Sequence, residues 1–222
     1  MQFSVVLAKP LAIQLSLDIT SVIIYWSISS FILGLIIVLF IMKPDMQLGS
    51  PRSASTIGEI VLWSVTGVFM AFFAQAAAVY IETNVFGISQ GSANTQGIMD
   101  ITRMAPLFMI IPMIIAPILE EIIFRKIIFG SLYKRTNFFI AGLLSAFIFG
   151  IIHGEPVHIL IYAGMGFVFA YLYVKTKRII VPIIVHMAMN SITVLLQYNL
   201  SPEDIEQMQQ QLQDMQMIFI GG

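Results

Sequence analysis

The chain has 222 residues, 58% of them hydrophobic and only 10% charged, with a formal net charge of −1. A soluble domain carries about 25% charged residues, so the composition points to a bilayer as solvent, and the near-zero charge with no long basic run excludes nucleic acid as a partner. There is no cysteine, which excludes disulfides, thiolate metal sites and a cysteine nucleophile.

The start of the chain does not look like a cleaved signal peptide, because no charged segment opens it and Lys9-Pro10 interrupts its apolar stretch. Phe3–Leu17 is expected to be an interfacial helix or part of a further crossing. A helix needs roughly 20 apolar residues to cross the hydrocarbon core. Ile19–Met42 meets this, and Ile60–Ile81 follows with Gln75 as its only strongly polar side chain, expected to bond between helices. Residues 83–104 are polar and rich in Gly, Ser and Asn, which predicts a loop. A long apolar run from Pro106 to Tyr133 holds Glu120, Glu121, Arg125 and Lys126, and its three prolines predict a bend. Phe138–Ile152, Val157–Val174 and Ile179–Leu200 complete the set, with Pro182 expected to kink the last. The fold class is therefore all-α: a polytopic transmembrane helical bundle of about six spans, or seven with the N-terminal stretch. Residues 1–104 form an N-terminal region with two spans, 105–200 a core, and 201–222 a tail.

Basic residues fall on alternate connections. Lys43 and Arg52 follow the first span, Lys134 and Arg135 the third, and Lys175, Lys177 and Arg178 the fifth. Retained positive charge marks the cytoplasmic side, and six spans then place both termini outside. Gly142, Ala146 and Gly150 recur at four-residue spacing, as do Gly166 and Ala170. Small residues let backbones approach closely in lipid. In the tail, Ser201-Pro202-Glu203-Asp204 reads as a helix start, and Ile205, Met208, Leu212, Met215 and Phe219 form an apolar stripe. An amphipathic helix is expected there, lying along the bundle or supporting self-association.

Ionisable residues inside membrane spans are expensive and mark functional sites. Glu121 and Arg125 share a helix face in the favoured acid-before-base order. Glu120 points about 100° away and is left for chemistry, unless both acids merely sit near headgroups. A partly desolvated carboxylate suits a general base. His153 lies on the Gly142–Ala146–Gly150 stripe with Phe149 one turn earlier, facing either the bundle interior or water at the span's end. His186 and Asn190 share a face within an apolar span, placed for catalysis or for hydrogen bonding between helices. His153 ends its span while His186 lies near the beginning of its own, so their depths agree only if a helix is tilted, broken or bounded differently. His158 and Glu155 are expected to be solvated in a short connection.

The segments Glu120-Glu121…Arg125, Phe149…His153 and His186…Asn190 follow in order along the core. Together they resemble the EExxxR, FxxxH and HxxxN motifs of the CPBP family of membrane proteases, which includes CAAX prenyl endopeptidases and bacteriocin-processing (Abi) enzymes. The resemblance covers roughly residues 105–200. It implies intramembrane hydrolysis of a peptide bond in a membrane-associated protein or peptide. It assigns Glu120 to activating water with help from His153, His186 and Asn190 to the oxyanion, and Glu121 and Arg125 to holding the site's shape, with Phe149 as a further support. It implies no obligatory cofactor, with a divalent metal such as zinc on Glu120, His153 and His186 as the alternative; the HExxH signature is absent. Expected partners are the lipid bilayer and the membrane-associated substrate, and the expected location is the bacterial cytoplasmic membrane. Two rival readings are a non-catalytic membrane scaffold of the same fold and a proton-coupled transporter, the latter without the paired repeats common in transporters.

Overall fold

The structure, a computed structural model, describes residues 18–47, 53–89 and 91–200, with positions 10, 12–14, 16, 51, 204, 207, 210 and 211. Most of Phe3–Leu17 and of the expected amphipathic tail lies outside the described residues. Seven helices run in chain order among the described residues: α1 (Ile19–Gln47), α2 (Ile57–Asn84), α3 (Ala93–Met104), α4 (Pro106–Tyr133), α5 (Phe138–Ile152), α6 (Ile159–Thr176) and α7 (Ile180–Asn199). Five of them, α1, α2, α4, α6 and α7, are long and apolar enough to cross a membrane, α6 together with the 3₁₀ turn at Pro156–His158 that leads into it. Their outward faces carry Phe40, Phe69, Phe73 and Leu107, all exposed. Apolar surface on this scale is a liability in water and is the required surface in lipid. The protein is an integral membrane protein.

Each apolar segment expected to span is a helix. The sixth, α5, has 15 residues; at 1.5 Å per residue it measures about 22 Å, short of the roughly 30 Å hydrocarbon core. His153 at its C-terminus and His186 near the start of α7 nevertheless reach one place, because the Phe149 ring lies 4.5 Å from the first imidazole and 6.0 Å from the second.

Two expectations are corrected. Part of the polar stretch 83–104 is the helix α3, opened by Ser92, whose hydroxyl accepts the Thr95 N–H at 3.0 Å. Its Met99 and Thr102 are buried while its other face is polar, and low overall hydropathy hid that amphipathic pattern. Pro182 does not kink α7. It stands in the first turn, where helix N–H groups have no intrahelical partner, so its missing donor costs nothing.

The core has three parts. Ala71, Phe169, Leu172, Val181, Val185 and Met189 join α2, α6 and α7. Phe108, Ile111, Ile115 and Leu119 of α4 pack against Ile28, Phe31 and Leu35 of α1. Phe129, Ala141 and Ala170 join α4, α5 and α6. The small-residue stripes act as expected. A Cβ on Gly142 would come 2.9 Å from the Phe167 ring, and one on Gly166 would come 3.2 Å from the Ala146 backbone. Such contacts bring α5 and α6 close enough to bury Ser145, whose hydroxyl donates to the Phe124 carbonyl at 2.9 Å.

Candidate active site

The bend expected in α4 is a change of helix type. Two widened π-helical stretches, Ile111–Ile115 and Ile122–Phe129, flank an ordinary α turn, Ala116–Glu121. Such widenings are frequent at functional sites. Prolines explain the first. Ala116 gives its N–H to Ile111, five residues back. Continuing that register, Pro112 would accept from residue 117, but Pro117 has no N–H. The Asn190 side-chain amide donates to the Pro112 carbonyl instead, at 3.0 Å. A backbone group left unsatisfied by one helix is thus satisfied by another, and α7 is tied to α4 within two turns of Glu120.

The two adjacent carboxylates of α4 face different partners. Glu121 is completely buried, with its Oε2 3.0 Å from the Nε of the equally buried Arg125. The contact is held by charge rather than by an aligned hydrogen bond. The Arg125 guanidinium lies 5.0 Å from the Phe149 ring centre, 5.5 Å from that of Phe169 and 6.0 Å from that of Phe124, distances at which a cation gains from the π faces. The other Glu121 oxygen meets His186 Nδ1 at 3.0 Å. His186 is further fixed by stacking on Phe169, centroids 4.9 Å apart.

Glu120 is left outside that pair, as helix geometry requires. Its side chain is 29% exposed and its Oε2 lies 3.7 Å from His186 Nε2. A carboxylate acceptor on Nδ1 places a proton there, so the Nε2 edge of His186 is the one presented to Glu120. His153 Nδ1 donates to the carbonyl of Phe149 at 2.7 Å, which leaves Nε2 as its basic nitrogen. The Phe149 ring packs against both imidazoles, at 4.5 Å from His153 and 6.0 Å from His186. Glu120, His153, His186 and Asn190 all line one cavity of about 610 Å³, with Phe149 and Pro112 in its wall. The four residues singled out from the motifs are therefore brought to one space by α4, α5 and α7. Direct bonds join Glu121 to His186 and Asn190 to α4, and none joins His153 to the others among the described residues.

Two sequence readings are corrected beside this cavity. Glu155 is buried rather than solvated, and accepts from the Ser92 hydroxyl at 2.8 Å, the Asn94 N–H at 2.9 Å and the Tyr162 hydroxyl at 2.7 Å. Burial opposes its ionisation, but these hydrogen bonds and the nearby His158 outweigh that, holding its carboxyl below the ordinary value. His158 is nearly buried, its Nδ1 2.8 Å from Glu82 of α2. Gln75 lines a second cavity of about 790 Å³ with Glu82, Glu155 and His158. The two cavities share Tyr162, Met165, Asn190 and Thr193 in their walls, so a polar chamber adjoins the one that holds Glu120. Glu82 and Tyr162 carried no motif, and no spacing in the chain connects residue 82 with residue 158.

A metal fits this arrangement poorly. Among the described residues no three His, Asp or Glu side chains converge as a ligand set. Both ring nitrogens of His186 are directed at carboxylates.

Comparison with known proteins gives the same picture. Residues 102–192 match the family described as Type II CAAX prenyl endopeptidase Rce1-like. The "Putative membrane peptidase YdiL" of Bacillus subtilis (strain 168) is 48% identical over 199 residues, covering 89% of this chain and 80% of that protein. The "Membrane-embedded CAAX protease MroQ" of Staphylococcus aureus (strain USA300) is 31% identical over 217 residues, covering 92% and 85%. The "UPF0177 protein YxdF" of Lactococcus lactis subsp. lactis (strain IL1403) is 30% identical over 133 residues, covering 59% and 73%. No solved structure matches. With three motifs on three helices around one cavity and relatives aligned along most of its length, the chain belongs to the Rce1-like CAAX endopeptidase family and is a membrane peptidase.

Proposed function

We propose that this chain hydrolyses a peptide bond of a membrane-associated protein or peptide by glutamate-activated attack of water, at a site within a bacterial cytoplasmic membrane. Glu120 takes a proton from a water molecule in the cavity, and the water oxygen attacks the scissile carbonyl carbon. The Nε2 of His153 is the second acceptor that orients that water. Negative charge then develops on the carbonyl oxygen. His186 donates to it from Nε2, and Asn190 donates with the amide N–H that is not spent on Pro112. Donors fixed before the reaction stabilise such an oxyanion without reorganising. Glu120 returns the proton to the leaving amine as the C–N bond breaks, acting as base and then as acid.

The observation that carries this reading is the division of labour between neighbouring acids. Arg125 and Glu121 neutralise each other, so the carboxylate of Glu120 faces the cavity 3.7 Å from His186. The test is cleavage of a fluorogenic peptide library by the full chain in proteoliposomes. Glu120→Gln is expected to lower the rate by about 10²-fold or more with an unchanged thermal unfolding midpoint. Cleavage at the wild-type rate by that variant contradicts the reading.

A further inference from the structure

We propose that Tyr162 and Glu155 are positioning residues for the His153 imidazole, Glu155 holding the Tyr162 hydroxyl and the Tyr162 ring setting the plane of His153. The proposal rests on the reading of His153 as part of the peptidase site. The Tyr162 and His153 rings are stacked, with centroids 4.2 Å apart and planes 23° from parallel. The Tyr162 hydroxyl donates to Glu155 at 2.7 Å.

His153 needs such a clamp. It caps the C-terminus of α5, and Gly154 follows in the left-handed region at φ 75°, so no further helical turn packs over the imidazole. The bond from Nδ1 to the Phe149 carbonyl fixes one atom of the ring, and the Phe149 ring meets the imidazole at 58° between planes, so neither lies flat against its face. A stacked face fixes its plane. Tyr162 can serve only if its own position is set, and Glu155 sets it. Three donors, from Ser92, Asn94 and Tyr162, occupy the two oxygens of Glu155. Two of these belong to the start of α3, whose Asn94, Thr95 and Ile98 line the catalytic cavity. One carboxylate thus holds both the imidazole's support and a wall of the cavity. A displacement of 1 Å at a reacting group can lower a rate by about 10²-fold.

The test compares the full-length wild type with Glu120→Gln, Tyr162→Phe and Tyr162→Leu. Peptide cleavage is measured in proteoliposomes. The ¹⁵N spectrum of labelled histidine is recorded in micelles, where the chain's 3 histidines are assigned by single substitution. Tyr162→Leu is expected to lower kcat about tenfold or more with KM within about twofold, and to move the His153 resonances from the Nδ1–H form towards a mixture of tautomers. Tyr162→Phe keeps the stacked face and is expected to recover part of kcat while still shifting His153. If Tyr162→Leu does not fold, Tyr162→Phe decides. A folded Tyr162→Phe with wild-type kcat and unshifted His153 resonances overturns the proposal. Wild-type cleavage by Glu120→Gln overturns the assignment of Glu120 as the base instead, and the His153 spectrum still decides the positioning role.

Discussion

Arg125 has no solvent contact, one carboxylate partner and three aromatic rings around its guanidinium. Removing one member of a buried pair strands the other, at a cost of about 3–5 kcal/mol. Arg125→Ala is therefore expected to lower the thermal midpoint in detergent sharply. The paired change Glu121→Gln with Arg125→Met is expected to recover most of that loss, because no charge is then buried alone. A double variant as unstable as Arg125→Ala would contradict this account of the pair. The division between Glu120 and Glu121 was legible from residue types alone, since a four-residue spacing pairs 121 with 125 and turns 120 away. The bond from Glu121 to His186 was not legible. It joins side chains 65 positions apart, and spacing within one helix says nothing about a partner on another. Glu155 was misread for a related reason. A carboxylate beside Gly154 and Pro156 looks like a solvated turn until α3 and Tyr162 are seen to supply its donors.

At the scale of the element, α4 shows how three prolines become a site. The π register sends the Ala116 N–H to Ile111 and leaves the carbonyl of Pro112 to Pro117, which has no N–H, and Asn190 fills the gap. The bend was expected from composition; the π-helical form it takes depends on what α7 offers, which no single segment contains. The seam between α5 and α6 was legible in full, because small residues at four-residue spacing have few other uses in lipid. Gly166→Val would place atoms where Ala146 already lies 3.2 Å from an added Cβ and the Arg125 Nη2 3.4 Å from it. The expected loss is about 1–3 kcal/mol in thermal or denaturant unfolding. Gly58→Ala, with no atom within 4 Å of the added carbon, is expected to stay within about 0.5 kcal/mol of wild type. Equal effects from the two would remove close packing as the role of Gly166. The helix α3 escaped notice because its polar face balances its buried one, so hydropathy alone could not separate it from a loop.

For the whole molecule, the basic connections gather at one end. Lys177 donates to Ser53 at 2.8 Å and Arg178 to the Ser55 carbonyl at 3.2 Å, joining the connection after α1 to the one after α6. The salt bridge between Lys126 and Asp45 ties α4 to the end of α1. The polar chamber with Glu82, Glu155 and His158 lies at the opposite end, beside the start of α3. Positive charge is retained in the cytoplasm, so the chamber is expected to open on the outer face. With no native cysteine, single substitutions report this cleanly. In intact cells an impermeant thiol reagent is expected to label Ser89→Cys and to spare Lys134→Cys, and the reverse pattern would invert the topology. The six apolar helices and the membrane class were legible because apolar length has one physical meaning. The convergence of α4, α5 and α7 was suggested only by motif order, and becomes a statement about distance in the folded chain.

In the proposed mechanism Glu120 and His186 act together on one carbonyl, and a double-mutant cycle on kcat in proteoliposomes separates joint from independent action. Residues that work as a unit lose their effect together. Glu120→Gln combined with His186→Ala is predicted to be no slower than the more damaging single change, with all variants folded. A double variant whose loss is the full product of the two single losses would show that the two side chains contribute independently, and the shared site would not stand.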